Sequence, residues 1–146
     1  MWSKSFNTRV RGLTAPQVWK VWTDVNQWHK WQPDIEYARL TGEFQEGNTF
    51  LFKPQGGSEI KIELTSVIPN RSFVDVTRFP LAQMYDSHEI IDHGEELEIK
   101  STISLSGFLS FLWRKLVVEE IANGLEAQTK RLIEEIKNQS SSACPP

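Results

Sequence analysis

Asp75, Asp86 and His88 are the side chains in this sequence best suited to proton transfer. They lie in segments rich in β-branched and aromatic residues, which predicts strands over residues 72–80 and 83–92. A carboxylate beside a histidine can orient the ring while the ring gives or takes a proton. The sequence therefore indicates a His88–Asp75 acid–base pair, with Asp86 as a third candidate catalytic residue.

Strand pairing predicts which other residues share a face with these three. Closing the hairpin between the two strands would place Asp75 opposite His88, and closing the next hairpin would place Asp86 opposite Ser101. Both pairings put the same alternate residues on one largely apolar face, and a slip by one residue would bury the charges of the other face. The predicted interior face contains Phe73, Asp75, Thr77, Phe79, Met84, Asp86, His88, Ile90, Leu97, Ile99, Ser101, Ile103 and Leu105.

The polar residues on this face admit three interpretations. They can satisfy one another, hold the polar end of a bound molecule, or move a proton during a reaction. If a molecule is bound, the residues expected to contact it are Trp31, Phe50, Phe52, Phe73, Thr77, Phe79, Met84, Ile99, Ser101 and Trp113.

The tryptophans near the N-terminus are expected mainly in the core. Trp19 and Trp22 are three residues apart, as are Trp28 and Trp31, so each pair shares a helix face. Trp31 ends its predicted helix beside a loop, and we expect it at the mouth of an internal cavity. Trp113, at the start of the long helix, is expected either on the opposite side of that mouth or packed against the sheet.

The remaining elements must hold the interior face against a core. Residues 5–11 alternate as in a half-buried strand, and Thr14 opens a helix with a capping-box pattern. A second short helix ends before Pro33, and six strands follow, separated by turn-forming residues. Residues 108–138 carry the apolar stripe of a long helix, in which Gly124 predicts either a bend or a close contact. This order predicts an α+β fold in which a seven-stranded, curved antiparallel sheet wraps around the long C-terminal helix, with two short helices after the first strand.

Composition limits the classes of function. The chain has 146 residues, 39% of them hydrophobic, which is typical of one globular domain, predicted over residues 1–139 with a disordered tail at 140–146. The net charge of −3 argues against a nucleic-acid partner. No apolar run is long enough for an integral membrane segment and no signal peptide is found, so a cytoplasmic location is expected.

No metal site and no cofactor are predicted. Cys144 is the single cysteine, which excludes a cysteine-rich metal site. His88 and His93 stand five residues apart in a predicted strand, whereas a zinc-protease motif needs two histidines four residues apart on a helix. Phosphate-binding and dinucleotide-binding glycine patterns are not found.

Several motifs resemble those of a known superfamily. They are Ala15-Pro16-Gln17-Val18-Trp19, Trp22-Thr23-Asp24, Trp28-x-x-Trp31-x-Pro33, Gly42-x-Phe44-x-x-Gly47, Val67-Ile68-Pro69-Asn70-Arg71-Ser72-Phe73 and His88-Glu89-Ile90. Through them the chain resembles the SRPBCC (START-like, helix-grip) superfamily, in particular its polyketide cyclase/dehydrase and lipid-transport-like group. The resemblance covers residues 3–138 and implies the helix-grip fold. Because activities differ widely among members, it implies no particular catalytic residue.

Three functions are compatible with these observations. The leading hypothesis is binding of a small hydrophobic or amphipathic molecule in an internal cavity between the sheet and the C-terminal helix. The alternative is an enzyme of the polyketide cyclase or dehydratase type, in which His88 moves a proton and Asp75 orients it. A chaperone-associated interaction module is less favoured, because the outer strand face is charged and lacks a long apolar patch.

Overall fold

The computed structural model describes the backbone of residues 1–143 and the side chains of residues 1–140. Its elements are β1 (Trp2–Arg11), α1 (Ala15–Thr23), a 3₁₀ turn (Val25–Gln27), α2 (Trp28–Trp31), β2 (Ile35–Leu40), β3 (Thr49–Pro54), β4 (Ile60–Ile68), β5 (Ser72–Phe79), β6 (Ala82–Asp92) and β7 (Glu96–Ser106). A C-terminal helical segment follows, made of α3 (Ser110–Trp113), a π-helical turn (Arg114–Val118), α4 (Glu119–Asn123) and α5 (Leu125–Ala143).

The strands of the described chain form one seven-stranded antiparallel sheet in the order β1-β7-β6-β5-β4-β3-β2. Strands β2 to β7 pair with their neighbours in sequence as hairpins, which short connections allow only between antiparallel strands. Register shifts in β2, between Ile35 and Tyr37, and in β4, between Leu64 and Ser66, bend these strands. The sheet is curved, and the predicted fold class is confirmed.

The inner face of the sheet packs against the helices in two apolar clusters. The first apolar cluster joins the sheet to α1, α2 and the second half of α5, and its buried members are Val18, Val21, Trp22, Val25, Trp28, Ile35, Ala38, Phe50, Ile62, Leu64, Phe73, Ile90, Leu97, Ile99, Leu132 and Ile136. The second apolar cluster joins β6 and β7 to the helical segment around Gly124, and its buried members are Ala82, Met84, Ile103, Leu105, Val118, Ala122 and Leu125.

Pairing in β5, β6 and β7 places the predicted interior residues on the inner face, but the predicted register was wrong by two residues. Asp75 lies opposite Asp86 rather than His88, and His88 lies opposite Ser101. The turn between β5 and β6 is shorter than predicted and holds Leu81 at a φ of 58°. Because a turn displaced by one position moves every pairing by two residues, the same side chains stay on the same face.

The C-terminal helical segment is interrupted at Gly124, between α4 and α5. The nearest atoms to a Cβ built there are carbonyl oxygens of the preceding turn, so the glycine breaks the helix and does not accommodate a packed neighbour. Helix α5 extends to Ala143 and overlaps the start of the tail predicted over 140–146, whose last residues, 144–146, lie outside the described chain. No helix within the described chain combines the length and apolar character needed to cross a membrane.

Gly107 joins the sheet to the C-terminal helical segment in a tight connection. It has a φ of 116°, and a Cβ at this position would lie 2.6 Å from both the Ala82 Cα and the Leu81 carbonyl oxygen. That same oxygen accepts a hydrogen bond from the Leu109 amide at 2.9 Å. The turn before β6 and the start of the helical segment are therefore fixed to each other at a position that admits only glycine.

We expect Gly107→Ala to lower the free energy of unfolding by about 3 kcal/mol, since it adds overlap with backbone atoms to the strain of a positive φ. Gly56→Ala is the matched control: Gly56 also has a positive φ, of 75°, but open space surrounds its Cβ position. That control should cost about 1 kcal/mol. Urea denaturation measures both changes, and equal losses would contradict the close contact at Gly107.

Candidate functional site

A layer of polar side chains separates the two apolar clusters inside the protein. On β5 it contains Asp75 and Thr77, on β6 Asp86 and His88, and on β7 Ser101. The inward positions before and after them on each strand are apolar and belong to or pack against the two clusters. We refer to these five residues, together with Thr129 of α5, as the polar layer.

Thr129 was missed by the sequence reasoning. It is buried and lies between Leu125 of the second apolar cluster and Leu132 of the first. Its hydroxyl donates a hydrogen bond to the Leu125 carbonyl oxygen at 2.8 Å, which satisfies it within the helix. A threonine in the apolar stripe of the predicted helix was the available signal.

His88 is held firmly within the polar layer. Its Nδ1 lies 3.0 Å from the Ser101 Oγ in a hydrogen bond, and its ring stacks on Phe73 with centroids 4.6 Å apart. Trp22 contacts the ring at a centroid distance of 5.5 Å. These contacts fix the direction in which the other ring nitrogen, Nε2, points.

Nε2 of His88 lies 3.0 Å from Asp86 Oδ1. The two atoms are close, yet Asp86 Oδ1 is buried without a hydrogen-bond partner. The distance alone would indicate an ion pair, but the angle is not that of a hydrogen bond, so we describe the contact as proximity. The register puts Asp75 opposite Asp86, so the shortest carboxylate contact of His88 is with Asp86 and not with Asp75, the predicted partner. A carboxylate oxygen of Asp75 still lies within 4.8 Å of a ring nitrogen of His88.

Asp75 is the most unusual group in the polar layer. The residue is only 5% exposed. Burial, and secondly the neighbouring charge of Asp86, raise the pKa of its carboxyl group well above its ordinary value. Both effects disfavour the ionised form, since a buried charge loses hydration and two adjacent carboxylates repel.

Two buried oxygen atoms of the polar layer have no hydrogen-bond partner: Thr77 Oγ1 and Asp86 Oδ1. Buried polar atoms in folded proteins nearly always have a partner, and each exception calls for an explanation. With the two carboxylates they give the layer unused capacity to accept hydrogen bonds or to bind a positive charge.

The structure distributes the predicted ligand-contact residues over both apolar clusters. Phe50, Phe73 and Ile99 are buried in the first cluster, and Phe52 and Trp31 are half-buried against it. Met84 belongs to the second cluster, at whose edge Phe79 stacks on Trp113 with ring centroids 4.9 Å apart. Thr77 and Ser101 lie in the polar layer between them. Trp31 and Trp113 therefore pack against different clusters.

A surface groove of about 260 Å³ lies between the first helices and α5. Its lining residues are Val21, Asp24, Gln27, Lys30, Trp31, Glu135 and Gln139. Of the predicted ligand-contact residues it contains Trp31, and it is separate from the polar layer. No sequence signal pointed to it, because it arises from the packing of α5 against helices about a hundred residues earlier.

Comparison with known proteins finds similar folds among solved structures. No protein-family model and no curated protein sequence matches the chain. A START superfamily protein from Mycobacterium smegmatis has a TM-score of 0.70 and 15% identity, over 94% of this chain and 98% of its own. Ara h 8.0201 has a TM-score of 0.70 and 11% identity, over 94% and 99%.

Norcoclaurine synthase from Thalictrum flavum, in complex with dopamine and hydroxybenzaldehyde, superimposes with a TM-score of 0.69 at 14% identity, over 99% of this chain and 90% of its own. TM-scores of 0.69–0.70 establish a common fold. At sequence identities this low, a common fold does not carry over an activity. The predicted resemblance is confirmed at that level: this chain has the helix-grip fold of the START-like, SRPBCC structures.

Proposed function

We propose that the protein binds a small hydrophobic or amphipathic molecule between the sheet and the C-terminal helical segment, with its polar group on the polar layer. The observation that carries this proposal is the buried set of acceptor atoms without partners, Thr77 Oγ1 and Asp86 Oδ1 beside the Asp75 carboxyl group. A bound molecule with a hydrogen-bond donor would satisfy these atoms.

Apolar surroundings on both sides of the polar layer support an amphipathic molecule rather than a wholly polar one. Phe73 and Ile99 lie on one side of the layer, and Met84 and the Phe79–Trp113 stack lie on the other. Binding sites for small molecules combine such apolar walls with a few convergent polar groups. Norcoclaurine synthase, which has the same fold, forms a complex with dopamine and hydroxybenzaldehyde, which is consistent with this proposal.

The destabilising effect of the buried Asp75 carboxyl group also supports a binding site in the polar layer. A carboxylic acid buried beside another carboxylate destabilises the fold whenever it ionises. An apolar residue at the same position would avoid that cost, and polar groups that lower stability are typical of functional sites. We therefore assign Asp75 to binding rather than to folding.

Acid–base catalysis is the second candidate function. The raised pKa of Asp75 favours a protonated carboxyl group that can donate, while His88 lies beside the second carboxylate, Asp86. Two titratable groups held in different states are a common basis for acid and base roles. In this alternative Asp75 would protonate a leaving hydroxyl or a carbonyl oxygen, and His88 would remove a proton, as in a dehydratase or cyclase.

We expect Asp75→Asn to raise the free energy of unfolding at pH 7 by about 1–3 kcal/mol, because it removes a buried carboxyl group that folding prevents from ionising as it does in the unfolded chain. The folded-state pKa of Asp75 is raised, so stability from the protonated group is present below the ordinary value of 3.8 and lost as pH rises above it. The advantage of the variant should therefore shrink as pH falls toward that value. Chemical denaturation of both proteins from pH 4 to pH 8 measures this difference in the free energy of unfolding.

Asp34→Asn is the control for this prediction. The Asp34 side chain is 84% exposed and faces Arg131 at 3.4 Å, so its removal should change stability little at any pH. An Asp75→Asn variant that is less stable than the original protein at pH 7 would contradict the assignment of Asp75 as a destabilising group.

We expect His88→Ala to weaken binding of a neutral fluorescent probe, N-phenyl-1-naphthylamine, by about tenfold, since it disrupts the polar layer. His93→Ala is the matched control, because His93 lies on the exposed side of the sheet beside Glu98. Fluorescence titration gives the dissociation constants, and circular dichroism checks that each variant is folded. Ser101→Ala, which removes only the Ser101–His88 hydrogen bond, serves if His88→Ala does not fold.

The same variants separate the two functions. If His88→Ala abolishes turnover of a candidate substrate and leaves its affinity unchanged, the enzyme hypothesis is favoured. If it weakens affinity, the binding hypothesis is favoured. If the probe binds the original protein and the variants equally well, the polar layer is not the binding site.

A further inference from the structure

We propose that Asp75, Asp86 and His88 form a binding site for a divalent first-row transition-metal ion. The site lies in the polar layer, but this inference goes beyond the proposed function, since the metal ion alone is its ligand. The sequence motifs gave no sign of it, because the three residues come together only through strand pairing.

Geometry is the first argument. One carboxylate oxygen of Asp75, one of Asp86 and a ring nitrogen of His88 all lie within 4.8 Å of one another. Ligands bound to a metal at about 2.0–2.2 Å stand roughly 3–4 Å from each other. The 3.0 Å between His88 Nε2 and Asp86 Oδ1 already has the spacing of two neighbouring ligands.

The orientation of the histidine is the second argument. A histidine that binds a metal through one ring nitrogen usually donates a hydrogen bond from the other, which fixes the tautomer and the ring direction. Ser101 Oγ is placed to accept such a bond from His88 Nδ1 at 3.0 Å. In that tautomer the Nε2 lone pair faces Asp86 Oδ1, and a cation bound by both atoms would convert two opposed acceptors into two ligands.

Electrostatics is the third argument. The polar layer contains two carboxylates, and buried charges in proteins are paired or coordinate metals. The Thr77 side chain supplies an independent observation: the residue is 3% exposed, follows Asp75 by two positions on the same face of β5, and its hydroxyl oxygen has no partner. A metal ion would neutralise the carboxylates, and the unpartnered Thr77 oxygen shows that the buried acceptors beside Asp75 are not satisfied by the protein itself.

The strands hold these ligands rigidly and leave a route for the ion. β5, β6 and β7 are neighbours in the interior of the sheet, so the backbone beneath the ligands is hydrogen-bonded on both sides. The Asp86 side chain is 20% exposed and can meet an ion arriving from solvent. One imidazole with two carboxylates suits Mn²⁺, Co²⁺ or Zn²⁺ better than Mg²⁺ or Ca²⁺, which prefer oxygen alone.

The test is titration of the chelator-treated full chain with Mn²⁺, Co²⁺ and Zn²⁺ separately by isothermal titration calorimetry. At least one of these ions should bind with a stoichiometry of one per chain. Asp75→Asn, Asp86→Asn and His88→Gln should each weaken its binding by at least about tenfold. With Co²⁺, the visible absorption spectrum should report nitrogen and oxygen ligands and should change in His88→Gln.

His93→Gln is the matched control, since His93 and Glu98 form an exposed histidine–carboxylate pair at 2.8 Å without a third ligand. It should bind the metal as the original protein does. Asp75→Asn keeps the shape of the side chain and removes a buried charge, so it is the variant on which the conclusion depends if another fails to fold. Saturable binding by none of the three ions, or equal binding by Asp75→Asn, would overturn the metal site.

The titration with N-phenyl-1-naphthylamine distinguishes failure of the metal site from failure of the proposed function. Chelator-treated protein that binds N-phenyl-1-naphthylamine but no metal ion would keep the proposed function and reject the metal site. Protein that binds one metal ion through Asp75, Asp86 and His88 but not the probe would support the metal site and count against the amphipathic ligand.

Discussion

A buried carboxyl group, Asp75, beside a second and partly exposed one, Asp86, is the constraint on which the interior of this protein depends. Asp75 and Asp86 stand opposite each other on adjacent strands, and burial and mutual repulsion raise the pKa of Asp75. The aromatic contacts of His88 and its hydrogen bond to Ser101 hold its imidazole ring beside these carboxyl groups. A bound hydrogen-bond donor or cation would satisfy the acceptor atoms that the protein leaves without a partner. Both the proposed function and the metal site follow from this excess of acceptors.

The fold places the polar layer between the two apolar clusters. Strands β5 to β7 carry polar residues midway along their inner faces, and α5 crosses the same level with Thr129. The interruption at Gly124 and the π-helical turn divide the helical segment that covers the second apolar cluster.

Much of the fold was predictable because hydrophobic alternation and turn residues are local signals. The alternation along β5, β6 and β7 determined which face is buried, and a displaced turn could not alter it, since the face repeats every two residues. The exact partners were not predictable, because the turn at Leu81 needs a positive φ at a residue other than glycine, for which the sequence gives no clear sign. The set of residues on the inner face was therefore predictable but their pairing was not, and Asp86 lies closer to His88 than Asp75 does.

The sequence by itself determined the order of the elements, the antiparallel sheet with its long C-terminal helical segment, and the set of polar residues on the inner face. Each of these depends on residue type and spacing within a short stretch of chain. Only the tertiary structure decided that Asp75 faces Asp86, that Thr129 joins the same level, and that Trp31 and Trp113 belong to different clusters. These relations depend on how strands and helices far apart in the chain pack together, and local patterns do not encode the distances between them.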